Sequence, residues 1–186
     1  MKPWHRNNRT CFKAHGQRGA SAVEFAIILP ILLMMVFAAI DFGRLFHARL
    51  VLTNLSREGA SLVSREIKSA TQVSTMLQAG ASPLDMSANG KIYIWVIKEG
   101  NKTVPYPTAS KSADVGSLNV PSTINNDPEN MLGLNKEVYD QLVYDDAATK
   151  KTANISQIAV VEVFYLYKPI TPIVMGNKVL SSRAVF

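Results

Sequence analysis

Glu24 is the ionisable residue in the least expected surroundings. It stands directly ahead of Phe25–Ile40, 16 consecutive residues with no charge, no hydrogen-bonding side chain and no glycine. A carboxylate at the membrane centre of a helix costs about 3 kcal/mol, so such a group calls for a partner. Gly19 and Ala20 offer one. If the bond between them is hydrolysed, the new α-amino group of Ala20 lies at position i and Glu24 at i+4, on one helix face. The carboxylate then gains a cation at a helix N-terminus, where the helix dipole also favours negative charge. Glycine leaves the backbone there unobstructed by a Cβ. The alternative for Glu24 alone is milder: four residues into the apolar segment, it reaches interfacial water.

Other reactive groups are sparse. Cys11 is the single cysteine, which excludes an internal disulfide or a cysteine-based zinc site. Of three histidines, His5 and His15 lie in the first 19 residues and only His47 lies beyond them. Asp140, Asp145 and Asp146 do not have the spacing of an EF-hand loop and read as a solvated helix face. Asn-x-Ser/Thr triplets at Asn54, Asn101 and Asn154 are of a form that arises often by chance. Trp95, Phe164, Tyr165 and Tyr167 fall in strand patterns and read as core. Neither an enzyme's catalytic set nor a cofactor or metal is expected.

The elements that must position Glu24 follow from charge and periodicity. Of the 20 Lys and Arg, set against 14 Asp and Glu, five lie in residues 1–19 without an acid, so this arm holds most of the net +6. The basic charge therefore belongs to a short, unstructured leader and does not mark a nucleic-acid face. Residues 20–40 form an apolar helix of 21 residues, about 30 Å long, enough to cross a bilayer's hydrocarbon core. The positive-inside rule leaves the leader in the cytoplasm and exports the rest, weakly opposed by Arg44 and Arg49. Beyond the span, Ala48, Leu52, Leu55, Gly59, Val63, Ile67, Ala70, Val73 and Leu77 recur in steps of three or four. This amphipathic stripe predicts a helical continuation over residues 41–79, as one helix from Ala20 to Leu77. The alternative is a break near Asp41–Gly43.

Residues 80–186 read as a small exported α+β domain. Ile92–Lys98 and Ile158–Lys168 are rich in β-branched and aromatic residues and predict strands, and Lys178–Phe186 a last one. Residues 100–130, with four prolines, read as a long surface loop. Asp127-Pro128-Glu129 has the form of a helix N-cap, opening a short helix to about Ala148. The fold class is thus α+β, a long N-terminal helix packed on a small antiparallel sheet.

From Arg18 to Ala60 the chain resembles the TadE-like family of pilin-related proteins from tight-adherence, Flp-type pilus systems. The resemblance rests on Gly19, the small-residue run to Val23, Glu24-Phe25-Ala26, Pro30, Asp41-Phe42-Gly43-Arg44 and the amphipathic continuation, and it covers 43 of 186 residues. Phe25 stands where many prepilins have Tyr. The resemblance implies a pseudopilin whose leader is removed after Gly19 by a prepilin peptidase. It implies as partners other pilins or pseudopilins, the assembly machinery and the inner membrane. TadF-like relatives share this junction, so both roles stay open; TadG-like ones usually lack the Glu and are longer.

Ala22/Ala26 and Ala39/Gly43 are small residues four apart that permit close helix–helix approach in lipid. Pro30 is expected to kink or loosen the helix. Two other readings remain. One is an ordinary secretory signal cut after Ala38, with Val36 and Ala38 at the small-residue positions, releasing a periplasmic binding domain. The other is an uncut single-pass anchor displaying a scaffolding domain.

Overall fold

An apolar segment in lipid has to satisfy its backbone internally, and a helix does so. The computed structural model describes residues 17–144, 155–172 and 175–186. In it, α1 runs over Gln17–Ser64, 48 residues, about 72 Å long. It passes through Pro30 and through Asp41–Gly43 without a break. The first half is bare: among residues 19–40 only Ala38 is even half-buried. The second half presents the expected stripe, with Ala48, Leu52, Leu55, Gly59 and Val63 all buried.

The single helix to Leu77 is not what forms. α1 ends at Ser64, and a second helix, α2, covers Ala70–Gly80. Glu66 adopts a left-handed conformation (φ 53°), and its N–H donates to the Val63 carbonyl at 3.0 Å. Ser69 then opens α2 with a capping box, its hydroxyl accepting from the Gln72 N–H while the Gln72 side chain accepts from the Ser69 N–H. The reversal leaves Ile67 of the expected stripe 58% exposed, yet returns Val73 and Leu77 to the same core as Leu52 and Leu55.

A four-residue helix, α3 (Met86–Asn89), leads into the sheet. Its strands are β1 (Gly90–Lys98), β2 (Thr108–Val115), β3 (Gln157–Tyr167) and β4 (Lys178–Val185), in the order β2-β1-β3-β4 and antiparallel throughout. Three of the four lie where the sequence predicts them. β2 falls inside the expected loop: Thr-Ala-Ser-Lys-Ser-Ala-Asp-Val has little apolar content, and pairing with β1 recruits it as an edge strand that buries only Ala109 and Ala113. Asp127 does not cap a helix either. Its carboxylate accepts from the Glu129 N–H in a local turn, and the helix α4 spans Lys136–Leu142. Residues 145–148 of the expected helix lie outside the described residues, as do Asp145, Asp146, Asn154 and positions 1–16 of the leader.

Both faces of the sheet are covered. Ile92, Ile94, Val161 and Val163 face α1 and α2, whereas Trp95, Ile97, Val160 and Phe164 face Ile124, Leu132, Tyr139 and Leu142 from the segment between β2 and β3. This two-sided burial explains why β1 and β3 read as near-continuous apolar runs rather than alternating ones.

Candidate functional site

The Gly19–Ala20 bond lies within α1, close to the first of its described residues. Glycine weakens a helix by about 1 kcal/mol relative to alanine. Among the described residues, a Cβ built on Gly19 meets nothing within 4 Å.

Glu24 is exposed and makes no hydrogen bond or ion pair among the described residues. It follows Ala20 by about 6 Å along the helix axis, on the same face. Ala22 and Ala26, at about 100° per residue, lie on the opposite face and are exposed too. Ala39 and Gly43 are exposed one turn apart, and a Cβ on Gly43 would enter open space. Pro30 deprives the Ala26 carbonyl of its intrahelical donor. All the predicted site residues thus share the bare half of α1 or its border. No single cluster brings them together, and their surfaces are free to meet another chain.

Sequence reasoning missed what fastens this helix to the body. Asp41, one residue past the expected span, is 1% exposed. Its carboxylate accepts the N–H groups of Ile170 and Thr171, each at 2.8 Å, and the Thr171 hydroxyl. The Tyr167 hydroxyl donates to the Asp41 carbonyl at 2.9 Å. The Thr171 hydroxyl, with the two backbone N–H groups, holds the Asp41 carboxyl below the usual range against the opposing effect of burial. Burial in turn pushes the Tyr167 phenol up, with the Asp41 charge adding to it, so it stays a donor.

Glu162 on β3 is a second anchor. It is 1% exposed and accepts from the Ser122 and Thr123 hydroxyls and from the Thr123 N–H. Trp95 Nε1 donates to the Ser122 hydroxyl at 2.9 Å. Arg183, opposite Glu162 on β4, donates to Thr123 Oγ1 at 3.2 Å and to the Gly133 carbonyl at 2.9 Å. These contacts hold down the loop that covers the second sheet face. Among the described residues no group of three or more His, Cys, Asp or Glu is placed to hold a metal ion.

The fold is thus α+β: a bare apolar helix half, long enough to cross a membrane, whose other half packs on a four-stranded antiparallel sheet. Residues 19–61 match the family of TadE-like proteins. The matched segment covers α1 almost end to end and stops before α2 and the sheet. No curated protein and no solved structure matches the chain.

Proposed function

We propose that this protein is a pseudopilin, or minor-pilin-like component, acting in assembly of a tight-adherence (Flp, type IVb-like) pilus after a prepilin peptidase removes residues 1–19. The observation that supports this best is the bare apolar half of α1 with one carboxylate five residues beyond Gly19, inside the TadE-like segment. The leader stays in the cytoplasm, residues 20–40 cross the inner membrane, and the sheet body lies in the periplasm. The role is structural, exercised through contacts with other pilins and with the assembly machinery.

Cleavage gives Ala20 an α-amino group with a reference pKa of about 7.7–8.0, largely cationic at neutral pH. Glu24 neutralises it within its own chain, or on a neighbour when subunits pack side by side. At the edge of lipid such a pair is little screened, and losing one partner leaves the other poorly solvated. Ala22 and Ala26 then offer the opposite helix face for a second close approach. The test is Glu24→Gln, which keeps shape and removes charge. The variant should insert and be processed, yet fail to co-purify with pilus partners. Normal piliation by a fully processed variant would refute the role of Glu24.

A further inference from the structure

A pocket of about 390 Å³ opens beside the neck, within the usual range for small-molecule sites. Arg44 and His47 of α1, Leu84 of the α2–α3 turn, and Tyr165, Tyr167 and Lys168 at the end of β3 line it. Arg44, His47 and Lys168 are exposed, and no carboxylate among the described residues forms a salt bridge with any of them. The Tyr165 hydroxyl makes no hydrogen bond among the described residues, and burial keeps its phenol protonated. The acids facing these groups are Asp41 and Asp85. Asp41 accepts from Ile170 and Thr171 with its two oxygens, the Arg44 charge lowering its carboxyl further, and Asp85 accepts from Ser87 and Ala88 with Oδ1. The pocket thus gathers a guanidinium, an ammonium, an imidazole and a phenol, none in a salt bridge among the described residues.

Its depth specifies the ligand further. With the span ending at Ile40, Arg44 lies about 6 Å farther along the helix and His47 about 10 Å. The headgroup layer on each side of a bilayer is about 5–8 Å thick, so Arg44 lies at its depth and His47 just beyond it. Phe42 and Phe46, 54% and 51% exposed with rings in edge contact, and Ile170, 55% exposed, flank the same level as apolar anchors. We infer that this pocket binds the phosphate of an anionic lipid headgroup in the leaflet beside the body, with Arg44 and Lys168 as its principal ligands. Arg44 supplies paired N–H donors to the phosphate oxygens, Lys168 a point charge, and Tyr165 a neutral donor. The inference rests on the proposed reading that residues 20–40 span a membrane.

The test uses the full chain, purified in detergent with equal amounts of phosphatidylglycerol and phosphatidylcholine, and native mass spectrometry of the lipid retained. The protein should retain phosphatidylglycerol in preference. Arg44→Gln with Lys168→Gln should reduce that preference by about fivefold per charge removed, the scale of a basic side chain near an anionic surface. Arg44→Lys with Lys168→Arg should preserve most of it. Lys98→Gln with Lys102→Gln, at the other end of the sheet, should leave it unchanged. A large excess of inorganic phosphate should not displace the lipid, because its acyl chains remain anchored. Unchanged preference in the Arg44/Lys168 variant, equal loss in the Lys98/Lys102 variant, or displacement by inorganic phosphate would each overturn the inference. Resistance to alkaline carbonate extraction separates the two claims. A chain that resists extraction but shows no preference fails only here, whereas a chain that is extracted also fails the membrane reading.

Discussion

The Thr171 N–H donates to the Asp41 carboxylate at 2.8 Å, joining residues 130 positions apart in the chain. This bond and its companions from Ile170 and the Thr171 hydroxyl fix the point where the bare helix meets the body. They add to the packing of the second half of α1 on β3 and β4, which share one core with Leu52 and Leu55.

The neck sets a pH dependence with a definite sign. Held below the ordinary Asp value by the Thr171 hydroxyl and the two backbone N–H groups, Asp41 binds fewer protons in the folded than in the unfolded chain. Its stabilisation is complete above the unfolded pKa of about 3.9 and is lost as pH falls through the lower folded value. Thermal melts of wild type and Asp41→Asn should differ at pH 7 and converge in strong acid. A constant difference across that range would contradict the assignment.

Glu162→Leu should destabilise the body by about 3 kcal/mol, since it strips acceptors from the Ser122 and Thr123 donors. Denaturant unfolding in detergent measures the loss, and hydrogen exchange should locate the loosened backbone in residues 120–134.

Two glycines of α1 should respond in opposite ways. A Cβ at Gly59 would sit 2.6 Å from Leu77 Cδ1 and 3.3 Å from Val161 Cγ1, so Gly59→Val should cost about 2 kcal/mol by overpacking. At Gly43 the space is open, and Gly43→Leu should leave the melting temperature unchanged or slightly raised. If the Ala39/Gly43 surface packs on a neighbouring helix, the same change should weaken co-purification with pilus partners.

Ser69→Ala removes the hydroxyl that accepts from Gln72 and should cost about 1 kcal/mol, read in the same unfolding assay. The loss should concentrate exchange in α2, leaving α1 protected.

Much of this architecture is legible in the residues themselves. The long apolar helix, the buried stripe of α1 and strands β1, β3 and β4 follow from hydropathy and period. The break at Glu66 escapes a periodicity argument because the stripe resumes in phase at Val73. The signal for it was present in Ser69-x-x-Gln72, a capping-box spacing. β2 escapes because its polar residues are ordered by pairing with β1 rather than by burial. The roles of Asp41 and Glu162 are not legible at all. Their partners lie 130 and about 40 positions away, and only the folded sheet brings them within hydrogen-bonding reach.

The proposed function requires that the Gly19–Ala20 bond is cut and that Ala20 becomes the first residue of the working protein. The intact mass and N-terminal sequence of the membrane-bound form, produced with its prepilin peptidase, test it most directly. The mature chain should begin at Ala20, with or without a methyl group on its amine, and the full-length form should persist when Gly19 is replaced by a bulky residue. A mature chain beginning at Ala39 or retaining Met1, or normal cutting of the Gly19 variant at the same bond, would contradict it.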